Sequence, residues 1–137
     1  MLGRYSIVRG ARASSLPVGI RQDTRKHTRH VLRPTAEMVA AVFGSAGDDA
    51  AWSRYATEYR ALLEARFADE RAAFDRIATF ARWHDVHLGC SCPSSKNPDV
   101  QRCHTVLALA FMKERYPDLD VRMPPEVTRS PAGDRPR

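Results

Sequence analysis

The sequence predicts a small α/β fold in which helices flank a mainly parallel sheet. Three observations predict this class: short β-prone runs alternate with longer runs of helical period, Gly and Pro separate them, and the composition is globular. Of the 137 residues, 43% are hydrophobic and 28% are charged, which argues against disorder of the whole chain. We therefore expect a single α/β domain over residues 1–123.

The first predicted strand is followed by a long connecting segment. Residues 5–8 are β-prone and are followed by Gly10, which predicts a strand. Residues 9–33 show no regular period and predict a basic loop. Within that loop, Pro and Gly fall together at residues 16–19 and predict a turn.

The middle of the chain predicts three helices, of which the first covers residues 34–43. Thr35 is suited to be its N-cap, because a threonine hydroxyl can accept from a free backbone N–H of the first turn. Gly44 and Gly47 mark its end.

The second and third helices are predicted by apolar residues that recur at helical spacing. Asp48 and Asp49 are suited to begin the second helix, since acidic residues favour a helix N-terminus. The third helix covers residues 73–84. We expect the aromatic side chains of the second helix to form core rather than a surface on which bases stack. The apolar residues at helical spacing in that helix are Trp52, Tyr55, Tyr59, Leu62, Leu63 and Phe67.

Strict alternation predicts a strand over residues 86–90. Its odd and even positions point to opposite faces, so Val86, Leu88 and Cys90 share one face. Residues 92–100 are polar, contain two prolines and predict a loop.

The last part of the chain predicts a helix, a strand and a tail. Helical spacing covers residues 100–116, and Pro117 stops the helix. Residues 119–123 alternate and predict a last strand. Residues 124–137 are Pro-rich and polar and predict a disordered tail.

The formal net charge of +6 is concentrated in one segment. Residues 9–33 hold seven Lys and Arg and one acid, Asp23, so the other residues sum to zero. His27 and His30 lie in this segment and are expected to add charge below about pH 6.5. We interpret the segment as a footprint for the phosphates of a nucleotide or nucleic acid, and a solvated loop is the alternative. The predicted phosphate contacts are Arg9, Arg25, Lys26 and Arg29.

The hydropathy pattern gives no sign of a membrane protein. No apolar run approaches the roughly 18–20 residues of a membrane-spanning helix. The first residues lack the apolar core of a secretory signal. We therefore expect a cytoplasmic protein with no membrane partner.

Three cysteines and a histidine form the second candidate site. The cysteines all fall within residues 90–103, and an odd, clustered set is not typical of a secreted disulfide framework. One interpretation is a metal site, with zinc the expected ion. A second is a reactive or redox thiol, in which Cys103 attacks or pairs and Cys90 or Cys92 resolves. In an enzyme, His104 would carry the proton. A third is ordinary core packing. The candidate metal ligands are Cys90, Cys92, Cys103 and His104.

The predicted position of Cys103 bears on these alternatives. In the first turn of the helix over residues 100–116, its thiolate would be stabilised by the helix dipole and by Arg102. His104 would lie about 100° away around a regular helix, which is poorly suited to binding the same metal.

The two candidate sites converge if the strands over residues 5–8 and 86–90 are parallel neighbours. Ligands of open α/β sheets bind at the carboxyl ends of strands. The basic loop and the cysteines would then lie at the same edge of the sheet.

The order of motifs resembles the YeaO-like family, small bacterial and phage-borne domains of unknown function. The residues that carry the resemblance are Val8-Arg9-Gly10, Leu16-Pro17-Val18-Gly19-Ile20, Leu32-Arg33-Pro34-Thr35, Val42-Phe43-Gly44, Trp52 with Tyr55 and Tyr59, and Val86-His87-Leu88-Gly89. Val18 stands where the family has an arginine, so that arginine's role does not transfer. The cysteines with His104 resemble a Cys-His-containing variant. The resemblance implies an α/β fold and supplies no reaction.

These observations leave two kinds of function open. The first is the binding of a phosphate-bearing ligand beside a Cys/His site that holds metal or reacts as a thiol, with or without catalysis. The second is a non-catalytic accessory or interaction protein of bacterial or phage origin, in which the cysteines are structural. The sequence names no protein partner.

Overall fold

The structure is a computed structural model that describes residues 1–43 and 48–125. Within those residues the chain forms a three-stranded sheet and four α-helices, which confirms the predicted α/β class. The strands are β1 (Leu2–Ser6), β2 (Ile20–Asp23) and β3 (Val86–Cys90). The helices are α1 (Ala36–Phe43), α2 (Asp49–Asp69), α3 (Arg71–Trp83) and α4 (His104–Arg115).

The sheet is parallel throughout, and its strand order is β1-β3-β2. The register pairs Leu2 with Val86 and Ser6 with Cys90 on one side of β3, and Ile20 with Val86 on the other. The predicted strand over residues 86–90 is confirmed, and so is its parallel pairing with the first strand. All three strands therefore end at the same edge of the sheet.

Strand β2 lies inside the segment predicted as a single basic loop, so that prediction is wrong over Ile20–Asp23. The strand is polar because it is an edge strand with little of its surface buried. Gly19 precedes it with φ +120°, and a Cβ there would lie 2.3 Å from the Asp85 carbonyl oxygen. Glycine thus permits the close approach in which the Ile20 N–H donates to that carbonyl at 2.8 Å.

The first and the last of the predicted strands also differ from their predicted bounds. β1 begins at Leu2 and ends at Ser6, because the fully buried Leu2 side chain anchors it in the core. The last strand, predicted over residues 119–123, is reduced to a single parallel bridge between Leu2 and Val121. Two prolines follow it, and proline has no N–H with which to extend a ladder.

The helix starts agree with the predicted caps. The Thr35 hydroxyl accepts from the Met38 N–H at 3.1 Å, and the Asp48 carboxylate accepts from Ala50 N at 2.8 Å. The predicted stops at Gly44 and Gly47 lie outside the described residues, as do residues 126–137 of the predicted tail.

Helix α4 begins later than predicted. A 3-10 turn covers Val100–Arg102, with the Asp99 side chain accepting from Gln101 N. Cys103 is then extended (φ −124°, ψ 147°), and α4 begins at His104. The prediction that Cys103 lies inside a regular helical turn is therefore wrong.

The main core lies between the sheet and helices α2, α3 and α4. Tyr59 and Phe74 are fully buried, and the Phe67 ring meets the rings of Phe74 and Phe111 edge-on at 5.2 and 5.8 Å. This confirms that the aromatic side chains of α2 contribute to the core. None of the described helices has the length and apolar character to cross a membrane.

Candidate functional site

Three buried thiols meet at the carboxyl edge of the sheet. Cys90 is the last residue of β3, Cys92 lies two residues further, and Cys103 immediately precedes α4. Their sulfur atoms all lie within 4.8 Å of one another, and the Cys90 and Cys92 sulfurs are 3.9 Å apart. Each residue is at most 7% exposed, and none forms a disulfide. The break before α4 brings the third sulfur to the other two.

Side chains from β1 and from the polar loop hold the thiols in place. The Cys92 carbonyl accepts from the Ser6 hydroxyl at 2.7 Å and from the Arg4 guanidinium at 2.5 Å. The Asn97 amide donates to the Cys92 sulfur at 3.2 Å and to the Arg102 carbonyl at 2.8 Å. The polar loop is thereby fastened to both ends of the thiol cluster, Cys90, Cys92 and Cys103.

Hydrogen bonding among the three thiols shifts their pKa values in opposite directions. Hydrogen bonds with Cys90 and Cys92 hold the pKa of the Cys103 thiol well below its ordinary value, against the opposing effect of burial. The same hydrogen bonding to Cys103 raises the pKa of Cys90, and it raises the pKa of Cys92 to about 11. The Thr105 hydroxyl also donates to the Cys103 sulfur at 3.2 Å, and Arg4 Nε donates to that hydroxyl at 2.9 Å.

His104 lies beside the cluster in a defined tautomer. The Thr24 hydroxyl donates its hydrogen to the Gly89 carbonyl at 2.9 Å, so it accepts from His104 Nε2–H at 2.8 Å. The Nδ1 atom then carries no hydrogen and lies within hydrogen-bonding distance of the Cys103 sulfur, at 3.8 Å. The donor atoms that are mutually close are the three sulfurs, and His104 neighbours one of them.

Thr24 was not among the predicted site residues. It is fully buried and follows β2 directly, and β2 itself was read as loop. No sequence signal places Thr24 at the site, because residues 21–23 are all polar and show no alternation that would predict the strand before it.

A cavity of about 290 Å³ opens above the thiols. Its floor is the thiol cluster with His104, one wall is apolar, and its mouth is cationic. The wall includes Pro34, Val39, Val42 and Tyr55. The mouth includes Arg25, Lys26, His27, Lys96 and Arg102.

The predicted phosphate contacts separate into two pairs. Arg25 and Lys26 line the cavity, whereas Arg9 and Arg29 are exposed and do not. Lys26 has no ion-pair partner within residues 1–43 and 48–125. Lys96, which also lines the mouth, comes from the polar loop seventy residues after Lys26, and no sequence pattern links the two.

The two arginines of the mouth are already paired. Arg25 forms a bidentate hydrogen-bonded pair with Asp23 at 2.9–3.2 Å, which raises the pKa of Arg25 and lowers that of the carboxylate. Arg102 forms an ion pair with Asp49. The lysines therefore carry most of the uncompensated charge.

His30 does not supply the charge expected of it. Burial lowers its pKa to about 4, so its ring is neutral at physiological pH. Its Nδ1 accepts from the Leu32 N–H at 3.1 Å, and its Nε2 donates to Gln22 Oε1 at 2.7 Å. His30 therefore links the segment after β2 to Gln22 by hydrogen bonds and adds no positive charge to the basic segment.

Comparison with known proteins gives one match. The family model described as DUF488-N3a, the active DUF488-N3 subclade, matches residues 6–116. No curated protein and no solved structure matches the chain. The matched span includes the thiol cluster, Thr24 and both lysines of the cavity mouth.

Proposed function

The chain belongs to the DUF488-N3a family, a YeaO-like group of small domains of unknown function, and from that premise we propose that it binds zinc at its three thiols and a phosphate-bearing ligand in the cavity above them. The observation that carries the proposal is the convergence of three buried sulfurs at the floor of a cavity with a cationic mouth. The subclade is described as active, which favours a site with chemistry.

The geometry of the sulfurs supports zinc. Zinc–sulfur bonds of about 2.3 Å in a tetrahedron place neighbouring sulfurs about 3.8 Å apart. The Cys90 and Cys92 sulfurs are 3.9 Å apart. Buried thiolates also need donors around them, and Asn97 and Thr105 each donate to a sulfur, as outer-shell groups of metal sites do.

The number of protein ligands bears on what the site does. Structural zinc sites are usually closed by four protein ligands, whereas catalytic sites use three and keep a position for water or substrate. Zinc bound in this way acts as a Lewis acid and activates water. The fourth ligand would come from the cavity or from His104 Nδ1, since the Thr24 hydrogen bond uses only Nε2.

Lys26 and Lys96 support the phosphate end of the proposal. Both line the cavity mouth, and neither has an ion-pair partner among the described residues. Arg25 and Arg102 are held beside them by acidic partners and present their remaining N–H donors. Arg9 and Arg29 would contact only a ligand larger than the cavity.

Elemental analysis of freshly purified protein, paired with a thiol count, tests the zinc. We expect about one zinc per chain, and three thiols that react with a thiol reagent only after chelation. Cobalt added to the apoprotein should give the charge-transfer absorption of thiolate ligands. Cys103→Ser should lose the metal, while Ser95→Ala, in the exposed polar loop, should keep it. A metal-free protein with three freely reacting thiols would contradict the proposal.

Calorimetry with inorganic phosphate tests the ligand. The double variant Lys26→Gln/Lys96→Gln should weaken binding at least tenfold. The matched control Arg9→Gln/Arg29→Gln removes the same charge outside the cavity and should change binding less than twofold. Equal losses in the two variants would mean that only the net charge matters, which would refute a phosphate site in the cavity.

A reactive thiol is the second candidate, and the environment of Cys103 favours it. Its pKa is lowered, Thr105 donates to its sulfur, and His104 Nδ1 lies 3.8 Å from that sulfur. An enzyme acting on a nucleotide or modified base could use Cys103 as nucleophile and His104 as proton carrier. In metal-free protein, iodoacetamide should then modify Cys103 before the other thiols. Inert thiols, no metal and tolerance of Cys103→Ser and His104→Ala would favour the accessory-protein alternative.

A further inference from the structure

We infer that the cavity ligand is a single nucleotide and that the Tyr55 hydroxyl is the donor that binds its base. The inference rests on the proposed function for the phosphate group and extends it to the rest of the ligand. It assigns a role to a residue that the sequence placed only in the core.

Tyr55 combines a buried ring with an unused hydroxyl. The residue is 6% exposed, and its ring stacks on Trp52 at 5.4 Å and on Tyr59 at 6.1 Å. The Tyr59 hydroxyl donates to the Leu32 carbonyl at 2.7 Å, but the Tyr55 hydroxyl has no hydrogen-bond partner within residues 1–43 and 48–125. One of two stacked tyrosines on the same helix is thus satisfied by the protein and the other is not.

The position of the Tyr55 hydroxyl shows what can reach it. Among the described residues, no fully buried side-chain nitrogen or oxygen lacks a partner, so this oxygen keeps some accessible surface. Tyr55 lines this cavity and also a second one of about 210 Å³ beside α1. Burial, and then the charge of Cys103, raise the pKa of its hydroxyl, which puts the oxygen on the side of the thiol cluster and hence of the first cavity. A buried hydroxyl that faces a cavity without a protein partner is a donor for a ligand.

Two kinds of side chain line the cavity, apolar ones and exposed cations. Pro34, Val39 and Val42 form an apolar wall beside Tyr55, whereas Lys26 and Lys96 lie at the mouth. A flat apolar ring suits the wall and a phosphate suits the lysines. A nucleotide joins the two, and every base offers ring nitrogen or carbonyl acceptors to a phenolic O–H.

The size of the cavity favours one nucleotide over a strand. Its volume of about 290 Å³ is at the lower end of the range for small-molecule sites. The segment of residues 9–33 contains no aromatic residue on which successive bases could stack. The cavity therefore accommodates a mononucleotide better than single-stranded or duplex nucleic acid.

Calorimetry on the full chain tests the nucleotide. The titrants are the four common nucleoside 5′-monophosphates, with ribose 5-phosphate, inorganic phosphate and a short single-stranded oligonucleotide for comparison. At least one monophosphate should bind ten or more times more tightly than ribose 5-phosphate. Equal affinity for all the small phosphates would overturn the inference while leaving the phosphate site intact. Tighter binding of the oligonucleotide would overturn it in favour of nucleic acid, and no binding of any titrant would refute the proposed function itself.

A pair of tyrosine variants tests the donor. Tyr55→Phe removes an oxygen that the protein does not use, so it should weaken nucleotide binding about five- to tenfold and leave inorganic phosphate unchanged. Tyr59→Phe removes a hydrogen bond to backbone and should lower stability without changing nucleotide affinity. Unchanged nucleotide affinity in Tyr55→Phe would overturn the role of the hydroxyl.

A second variant guards against misfolding of the first. Val39→Thr preserves side-chain shape and makes the apolar wall polar, so nucleotide affinity should fall while phosphate affinity stays the same. Thermal melting of each variant checks the fold. Equal loss of nucleotide and phosphate affinity in Val39→Thr would show that the wall does not contact the base.

Discussion

The main core and the thiol cluster are both buried, but they are built from different contacts. In the core, the Phe67 ring meets Phe74 and Phe111 edge-on, and apolar groups contact apolar groups. In the thiol cluster, Asn97 and Thr105 direct N–H and O–H donors at sulfur atoms. A cluster that served only for packing would have no need of these donors.

The difference separates stability from function. The core buries large aromatic side chains and stabilises the fold by the hydrophobic effect. The thiol cluster forms a separate small group of three sulfurs, with donors that suit negative charge. Changes in the core should therefore act on stability under all conditions, and changes in the thiol cluster should act mainly through what it binds.

The largest effect is expected in the core. Phe74→Ala leaves a cavity where a fully buried ring was, and should lower the free energy of unfolding by about 3–5 kcal/mol with or without zinc. Urea unfolding measures it. Trp83→Ala is the control, because its side chain is 79% exposed, and it should change stability by less than about 0.5 kcal/mol. A small effect of Phe74→Ala would refute the claim that the aromatic core is the main source of stability.

Zinc should produce the next largest effect, and only through the thiol cluster. At a free zinc concentration about 1,000 times the dissociation constant, binding should raise the free energy of unfolding by about 4 kcal/mol. Phe74→Ala should keep this increment, whereas Cys103→Ser should lose it. Urea unfolding with zinc and with chelator measures both. An increment that survives in Cys103→Ser would place the metal elsewhere.

The pH dependence of stability should reveal His30, which belongs to neither region. Its pKa is about 4 in the folded state and about 6.5 when unfolded, so below pH 6.5 the unfolded chain takes up the proton first. Stability should fall as the pH decreases from 6.5 to 4, by at most about 3 kcal/mol. His30→Asn should flatten this slope, and the two proteins should not differ in pH dependence between pH 7 and 8. An equally steep slope in the variant would contradict the assignment.

The smallest effect is expected at the boundary of the thiol cluster. Thr24→Val keeps the shape of a buried side chain but removes the oxygen that accepts from His104 Nε2–H, which should cost about 1–3 kcal/mol. Thr24→Ser should recover part of the loss. Thr57→Val, on the exposed face of α2, is the control and should be nearly neutral. Thermal melting compares the three, and a neutral Thr24→Val would show that this bond does not hold the histidine.

Much of the fold follows from periodicity in the sequence. Tyr55, Tyr59 and Leu63 recur at helical spacing and are buried as that spacing predicts. Val86 and Leu88 alternate with His87 and form the central strand at the predicted bounds. These patterns can be recognised in the sequence because the buried face of each element is formed by apolar side chains at regular spacing.

The errors fall where backbone pairing decides the structure. Strand β2 is polar, and only its hydrogen bonds to β3 make it a strand, which no side-chain pattern reveals. Apolar residues recur at helical spacing over residues 100–116, but the extended backbone of Cys103 divides this segment. Asp99 caps a separate 3-10 turn over Val100–Arg102, and α4 begins only at His104.

Only part of the candidate site could be predicted, because the remaining residues reach it through backbone pairing and packing. The cysteines were identifiable as residue types, and their meeting at one edge followed from parallel strands. Lys96, Thr24 and Tyr55 could not be placed there, since their positions depend on how the polar loop, β2 and α2 pack around that edge.

The strand order has a consequence for how the chain acquires its structure during synthesis. β1 and β2 emerge from the ribosome first, but both pair with β3, which ends at Cys90, and the one further partner of β1 among the described residues is the bridge at Val121. Neither strand has a partner until most of the domain has been translated, so sheet formation depends on contacts distant in sequence. Cys103 and Thr105 emerge later still, and the thiols assemble only when the last helix closes on a completed sheet. A ribosome-bound chain that stops before Cys103 could form the sheet but would lack the third thiol of the cluster.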